Sequence, residues 1–197
     1  MKKNVIVALG VIAISLVSLT TIDSNKGKAE AYKLDSKKTS LQWTGKYVSD
    51  GHTHTGTVNV TEGNLTLGSD KSVKGTFTVD MKSIVNQDLP DEKKGYLVGH
   101  LNSPDFFNTE KYTTAKVTVK GIKDNVMDAT ITVLGKEIPA TIPVTVENKG
   151  KTMTAKGKFE VDFAALEMGG TKPATGKPEN ERADSKIAFD LNLVMTK

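Results

Sequence analysis

Three histidines, His52, His54 and His100, are the side chains of this sequence best suited to proton or metal chemistry. His52 and His54 are two apart, so on a strand both project to the same face, and the parity carried back from Val58 and Val60 makes that face the interior. A helix bringing His100 to the same place would complete a three-histidine set of the kind that binds a transition metal. The plainer reading makes His54 or His100 a hydrogen-bonded polar plug near one end of the fold. Either ring could also serve as a base beside Asp105.

Other signs of catalysis are missing. The chain has no G-x-S-x-G elbow, no phosphate-binding loop, no G-x-G-x-x-G and no H-E-x-x-H. The acid pair Asp91 and Glu92 falls at a helix start, where negative charge complements the helix dipole. We therefore assign no catalytic residue, no metal ligand and no cofactor. The weaker alternatives are a histidine-based or metal-dependent envelope enzyme and a filled barrel acting as an interaction module.

Composition narrows the class further. A chain of 197 residues is long enough to bury one substantial core. It contains no cysteine, which excludes disulfides, thiolate metal sites, thiol catalysis and a lipidated cysteine. Lys2 and Lys3 precede an apolar run from Val5 to Val17 and a polar tail, the order of a secretory signal. The triplet Ala29-Glu30-Ala31 places processing before Tyr32, giving residues 1–31 as signal peptide and 32–197 as the domain. A retained N-terminal anchor is the alternative, although the apolar core is short for a full span. Processing would lower the net charge from +4 to +2, and the lysines alternate with acids, so no nucleic-acid surface is implied. The expected location is periplasmic or secreted, with no stable membrane insertion after cleavage. A homodimer is among the states the sequence allows.

The elements that would position these groups are mostly strands. Single-parity apolar runs recur at Leu41 to Tyr47, Val58 to Val60, Leu65 to Leu67, Phe77 to Met81 and Val117 to Val119. They continue at Met127 to Val133, Ile138 to Val146, Met153 to Phe163 and Ile187 to Met195. Turns are expected at Glu62-Gly63-Asn64, Asp124-Asn125, Gly135-Lys136 and Asn148-Lys149-Gly150. Connections are too short for helices between strands, so the sheet is antiparallel. Interior glycines at positions 45, 56, 75 and 157 favour a tightly coiled sheet closed into a barrel of eight strands.

One stretch departs from this pattern. Asp88-Leu89-Pro90 is a helix start signal, and Leu97, Val98 and Leu101 give one apolar face, so a helical excursion is expected at about residues 90–107. Gly95 and Gly99 make it dependent on packing, each costing about 1 kcal/mol against alanine. It would close the cavity mouth. Met168 to Ser185 is rich in Gly, Pro, Lys and Glu and reads as a mobile rim loop.

A barrel with one apolar parity can hold an apolar ligand. Its expected lining is Trp43, Phe77, Val79, Met81, Ile131, Ile142, Phe159, Val161, Phe189 and Leu191, with Leu97, Leu101, Phe106 and Phe107 near the opening and His54 and His100 as polar contacts. An ordered set of motifs supports this reading. Leu41-Gln42-Trp43-Thr44-Gly45-Lys46, His54-Thr55-Gly56-Thr57-Val58, Gly75 to Met81 with Ser83-Ile84, Leu97 to Phe107 and Lys111 to Ala115 together resemble the YceI-like family of lipid and polyisoprenoid binding proteins. The resemblance implies a lipocalin-like all-β antiparallel barrel, typical of exported bacterial proteins, with a long isoprenoid chain in its lumen. The function expected from it is to hold a polyisoprenoid, an isoprenoid quinone or a related lipid for transport, storage or sequestration.

Overall fold

The single apolar parity of the strands is buried by rolling one antiparallel sheet on itself. The computed structural model describes residues 27–172 and 182–197; most of the expected signal segment and the middle of the 168–185 loop lie outside the described residues. Ten strands follow in chain order: β1 Glu30–Leu34, β2 Ser40–Lys46, β3 Thr53–Leu67, β4 Val73–Asn86, β5 Thr114–Lys123, β6 Val126–Val133, β7 Lys136–Pro143, β8 Thr145–Asn148, β9 Thr152–Asp162 and β10 Lys186–Thr196. One α-helix, α1, spans Asp91–Asn102 between β4 and β5.

The ten strands fill eight positions around the barrel. β1 and β2 share one position between β3 and β10, β1 pairing at one end of it and β2 at the other. The break between them is a turn in which the Lys38 and Thr39 amides donate to the Asp35 carbonyl. β7 and β8 share the position that closes the sheet: β7 pairs with β6, β8 pairs with β9, and only Val144 separates them. The expected run Ile138 to Val146 is therefore two strands, with a change of partner at Pro143. Pro139 and Pro143 both lack an amide and both lie on β7, a strand that pairs on one side only.

This changeover brings two backbones close together. A Cβ on Gly157 of β9 would collide with the Pro143 carbonyl oxygen and lie 3.3 Å from Val144. Gly157 is thus the position at which β9 lets the closing strand pass.

Turn chemistry sets the hairpin registers. Asp124 and Asn125 both have positive φ, as do Leu134 and Gly135, so β5–β6 and β6–β7 are joined by two-residue turns of the primed type that match strand twist. The second turn is Leu134-Gly135, one residue before the expected Gly135-Lys136, and Lys136 already belongs to β7. Gly63 also marks something other than the expected turn. It lies inside β3, paired with Phe77, and a Cβ there would strike the Phe77 ring. In a strand, a glycine can signal close approach as well as a bend.

The helix is shorter than the excursion expected from sequence. It ends at Asn102, with Ser103 as C-cap before Pro104, and turns carry the chain on through Phe106 and Phe107, which are buried although no residue of α1 is fully so. Asp88 does not cap it. Pro90 occupies the N-cap without a side-chain cap bond, while Asp91 pairs with Lys94 at 2.7 Å.

The barrel interior is asymmetric. At the β1 end, Tyr32 and Met195 are each 1% exposed and, with Leu65 and Met153, form a solid floor. Tyr32 pairs across the sheet with Leu65, and Met195 with Met153, so the floor is built by direct cross-strand neighbours. β1 begins at Glu30, whose carboxylate meets Lys197 at 2.7 Å; processing after Ala31 would remove that contact.

The crossing gives a test. Gly157→Ala should destabilise the protein by about 1–3 kcal/mol through overpacking against the Pro143 backbone. Gly121→Ala, where a Cβ meets nothing within 4 Å, should change stability by no more than about 0.5 kcal/mol. Urea unfolding of the two variants measures the difference.

Candidate ligand cavity

Above the floor the barrel is hollow. A void of about 180 Å³ runs between β2, β3, β4, β5, β6, β7, β9 and β10, and every residue lining it is apolar or glycine. Several inward-facing side chains, among them Ile131, Phe159, Ile187 and Phe189, are only half-buried because the void leaves part of their surface uncovered. None of Tyr32, Leu65, Met153 and Met195 reaches it. Its far end is covered by Leu101 of α1 and Phe107 of the following turn, which makes this end the mouth.

Aromatic side chains organise one wall. Phe159 and Phe189 are directly paired on β9 and β10 and stack with centroids 5.5 Å apart. Phe163 meets both Phe189 and Phe107 edge to face at 6.3 Å, so ring contacts run from the wall to the mouth. Trp43 lies opposite Phe189 on β2 and opposite Gly56 on β3, where a Cβ would collide with the indole. Gly56 therefore makes room for the ring.

Of the residues expected around the ligand, Trp43, Phe77, Val79, Met81, Leu101, Phe107, Ile131, Ile142, Phe159, Val161, Phe189 and Leu191 line the void. His54, Leu97, His100 and Phe106 do not. Leu97 packs half-buried on the outside of the core. Phe106 is buried in the turn after α1, where a Cβ on Gly170 would strike its ring. His100 is exposed and sits against the face of the same turn, its ring 4.9 Å from that of Phe106.

The structure also adds lining residues. Leu41, Val58, Val60, Val117, Met127, Val133, Phe163, Ile187 and Leu193 sit on the parities already marked apolar. Ile84 does not, because strict alternation from Met81 would turn Ser83 inward. A bulge on β4 instead sets four residues of that strand against one of β3, and the Ser83 hydroxyl accepts the Asn59 amide left unpaired, at 2.8 Å. That Ile84 of the Ser83-Ile84 motif faces inward is legible only once that bulge is known.

The histidines do not gather. Among the described residues no three His, Asp or Glu side chains could hold a metal ion together. His52 and His54 lie edge to face at 4.8 Å, with Tyr47 beside both. The partner of His54 is Asp88 and not Asp105: Asp88 Oδ2 lies 2.8 Å from His54 Nδ1. The other oxygen, Oδ1, accepts from the Thr55 amide and the Asn86 side chain, each at 2.7 Å. Burial works against the charge on Asp88, but the hydrogen bonds from His54, Thr55 and Asn86 outweigh it and bring its pKa down to about 2. No periodicity could have shown this pair, because 34 residues separate its members.

Comparison with known proteins agrees with the geometry. The family described as YceI-like domain matches residues 32–195. The crystal structure of BcnA from Burkholderia cenocepacia aligns with a TM-score of 0.59 at 19% identity, over 82% of this chain and 98% of that one, a likeness of fold. The YCEI protein of Campylobacter jejuni aligns over 100% of this chain and 99% of its own, with a TM-score of 0.46 at 13% identity. No curated protein matches by sequence.

Asp88 supplies a pH test. Its folded pKa lies below the ordinary 3.8, so its contribution to stability is complete above about pH 4 and is lost as pH falls towards 2. Asp88→Asn should lose about 1 kcal/mol at neutral pH, discounted because the carboxyl side chain is 32% exposed. The gap between wild type and variant should close between pH 4 and 2 in denaturant titrations.

Proposed function

Since the chain belongs to the YceI-like family, we propose that it is a non-enzymatic binding protein for an apolar chain, a polyisoprenoid, an isoprenoid quinone or a related lipid. The observation that carries this reading is the lumen: an all-apolar void, closed at one end by a packed floor and covered at the other by α1 and its following turn. Such a surface offers a hydrocarbon chain burial on all sides, worth about 0.8 kcal/mol per methylene. It offers no group that could polarise or attack a substrate.

The size of the void shapes the binding mode. At about 180 Å³ it is comparable to an apolar cavity that takes one benzene-sized molecule. A longer chain threads its tail into the lumen and continues through the mouth, with Leu101 and Phe107 giving way. Leu101 belongs to α1, which buries no residue completely, and Phe107 to the turn that follows it.

The protein acts after export, in the periplasm or outside the cell, in transport, storage or sequestration of its ligand. The N-terminal run of lysines and apolar residues supports this reading. Among the described residues no helix is long and apolar enough to cross a membrane.

Organic extraction of protein purified gently from its host, followed by mass spectrometry, should release an apolar chain lipid. Trp43 is the sole tryptophan and lines the void, so its emission should shift when farnesol is added. Filling the lumen with Ala115→Leu should weaken farnesol binding at least about tenfold while leaving the fold intact. An unoccupied protein with no Trp43 response would overturn the proposal.

A further inference from the structure

One polar group at the mouth has its chemistry set by the fold and is left without a use, His54. It lies on β3 directly opposite Gly45 of β2, and directly opposed residues share a face. Gly45 lines the void, so His54 projects to the inner face at the rim. A Cβ on Gly45 would meet nothing within 4 Å, which leaves open space beside the imidazole. The Tyr47 ring, at 6.2 Å, and the His52 ring, at 4.8 Å, pack beside it as one cluster, themselves 6.3 Å apart.

Asp88 decides which nitrogen carries the proton. Its carboxylate is an acceptor only, and both its oxygens are engaged by donors, so the proton of the neutral ring must lie on Nδ1. Nε2 is then an acceptor. No hydrogen-bond partner for it exists among the described residues, whereas the rest of the dyad is fully committed.

We propose that His54, oriented by Asp88, recognises the polar end of the ligand through Nε2 as an acceptor, so that the preferred ligand is an apolar chain ending in a hydroxyl. The inference rests on the binding function above and refines its ligand class. An O–H donor completes the imidazole; a carbonyl or ether oxygen brings a second acceptor to the same point and gains nothing. The carboxylate behind the ring also disfavours an anionic end group beside neutral His54. His54 is the contact and Asp88 the positioning residue.

The test compares farnesol with farnesyl methyl ether, which keeps the chain and the oxygen but lacks the donor. Both are titrated into the full-length protein and followed by Trp43 emission. In the wild type, the ratio of the two dissociation constants should favour farnesol, and His54→Phe should reduce that ratio about five- to tenfold, the worth of one hydrogen bond, while the ether binds within about twofold of its wild-type affinity. Asp88→Asn, which releases the ring to either tautomer, should reduce the ratio part of the way. The ratio is taken within one protein, so a general loss of stability does not mimic the effect. An unchanged ratio in both variants would overturn the head-group assignment and leave the binding function standing. No Trp43 response to either compound in the wild type would overturn both.

Discussion

A sheet with one apolar face is stable only when that face is covered, and here the cover is the sheet itself. Closure depends on the point where β7 leaves β6, passes Gly157 and becomes β8 on the far side. The contact is steric before it is energetic: two backbones come closer than any side chain on Gly157 would allow. Pro143 sits at the changeover, where its missing amide leaves no ladder bond unmade. With β7 and β8 together occupying the closing position, the inward side chains must either fill the interior or line a space.

They do both, at different levels. At the β1 end, long side chains meet across neighbouring strands, Tyr32 with Leu65 and Met195 with Met153, and pack solidly. Above the floor, glycines stand at inward positions opposite aromatics, Gly63 beneath Phe77 beside β1 and Gly56 beneath Trp43 nearer the mouth, which lets large rings lie along the wall. The rings of Phe159, Phe163, Phe189 and Phe107 then frame a void and do not collapse into it. The result is a cup with a hard floor, an apolar lumen and a rim where the first polar groups occur.

The rim is where chain connectivity and chemistry meet. β4 ends at Asn86, and the short link to α1 carries Asp88 back to the start of β3. Asn86 braces that link, its side chain donating to Asp88 and accepting the Leu89 amide. A carboxylate that sequence alone reads as a helix cap is thus drawn into a histidine pair, and α1 starts uncapped at Pro90. The helix is held by its packing on β4 and by the buried Phe106 and Phe107 that follow it, which suits an element covering a mouth.

Much of this was determined by the sequence. Two-residue alternation tells which side chains share a face, so the antiparallel barrel, most of the lining and the position of the helix follow from residue types alone. The ordered motifs from Leu41 to Ala115 likewise carry the family. What alternation cannot show is where it breaks: the bulge that turns Ile84 inward, Gly63 as a bed for Phe77 and the change of partner at Pro143 all arise from contacts between distant strands. The same holds for chemistry. His54 and Asp88 are 34 residues apart, and only the pairing of β2, β3 and β4 brings the ring to the rim and the carboxylate to its Nδ1. Whether an apolar interior is packed or hollow is likewise a matter of volumes summed across the whole barrel, and the tertiary structure alone decides it.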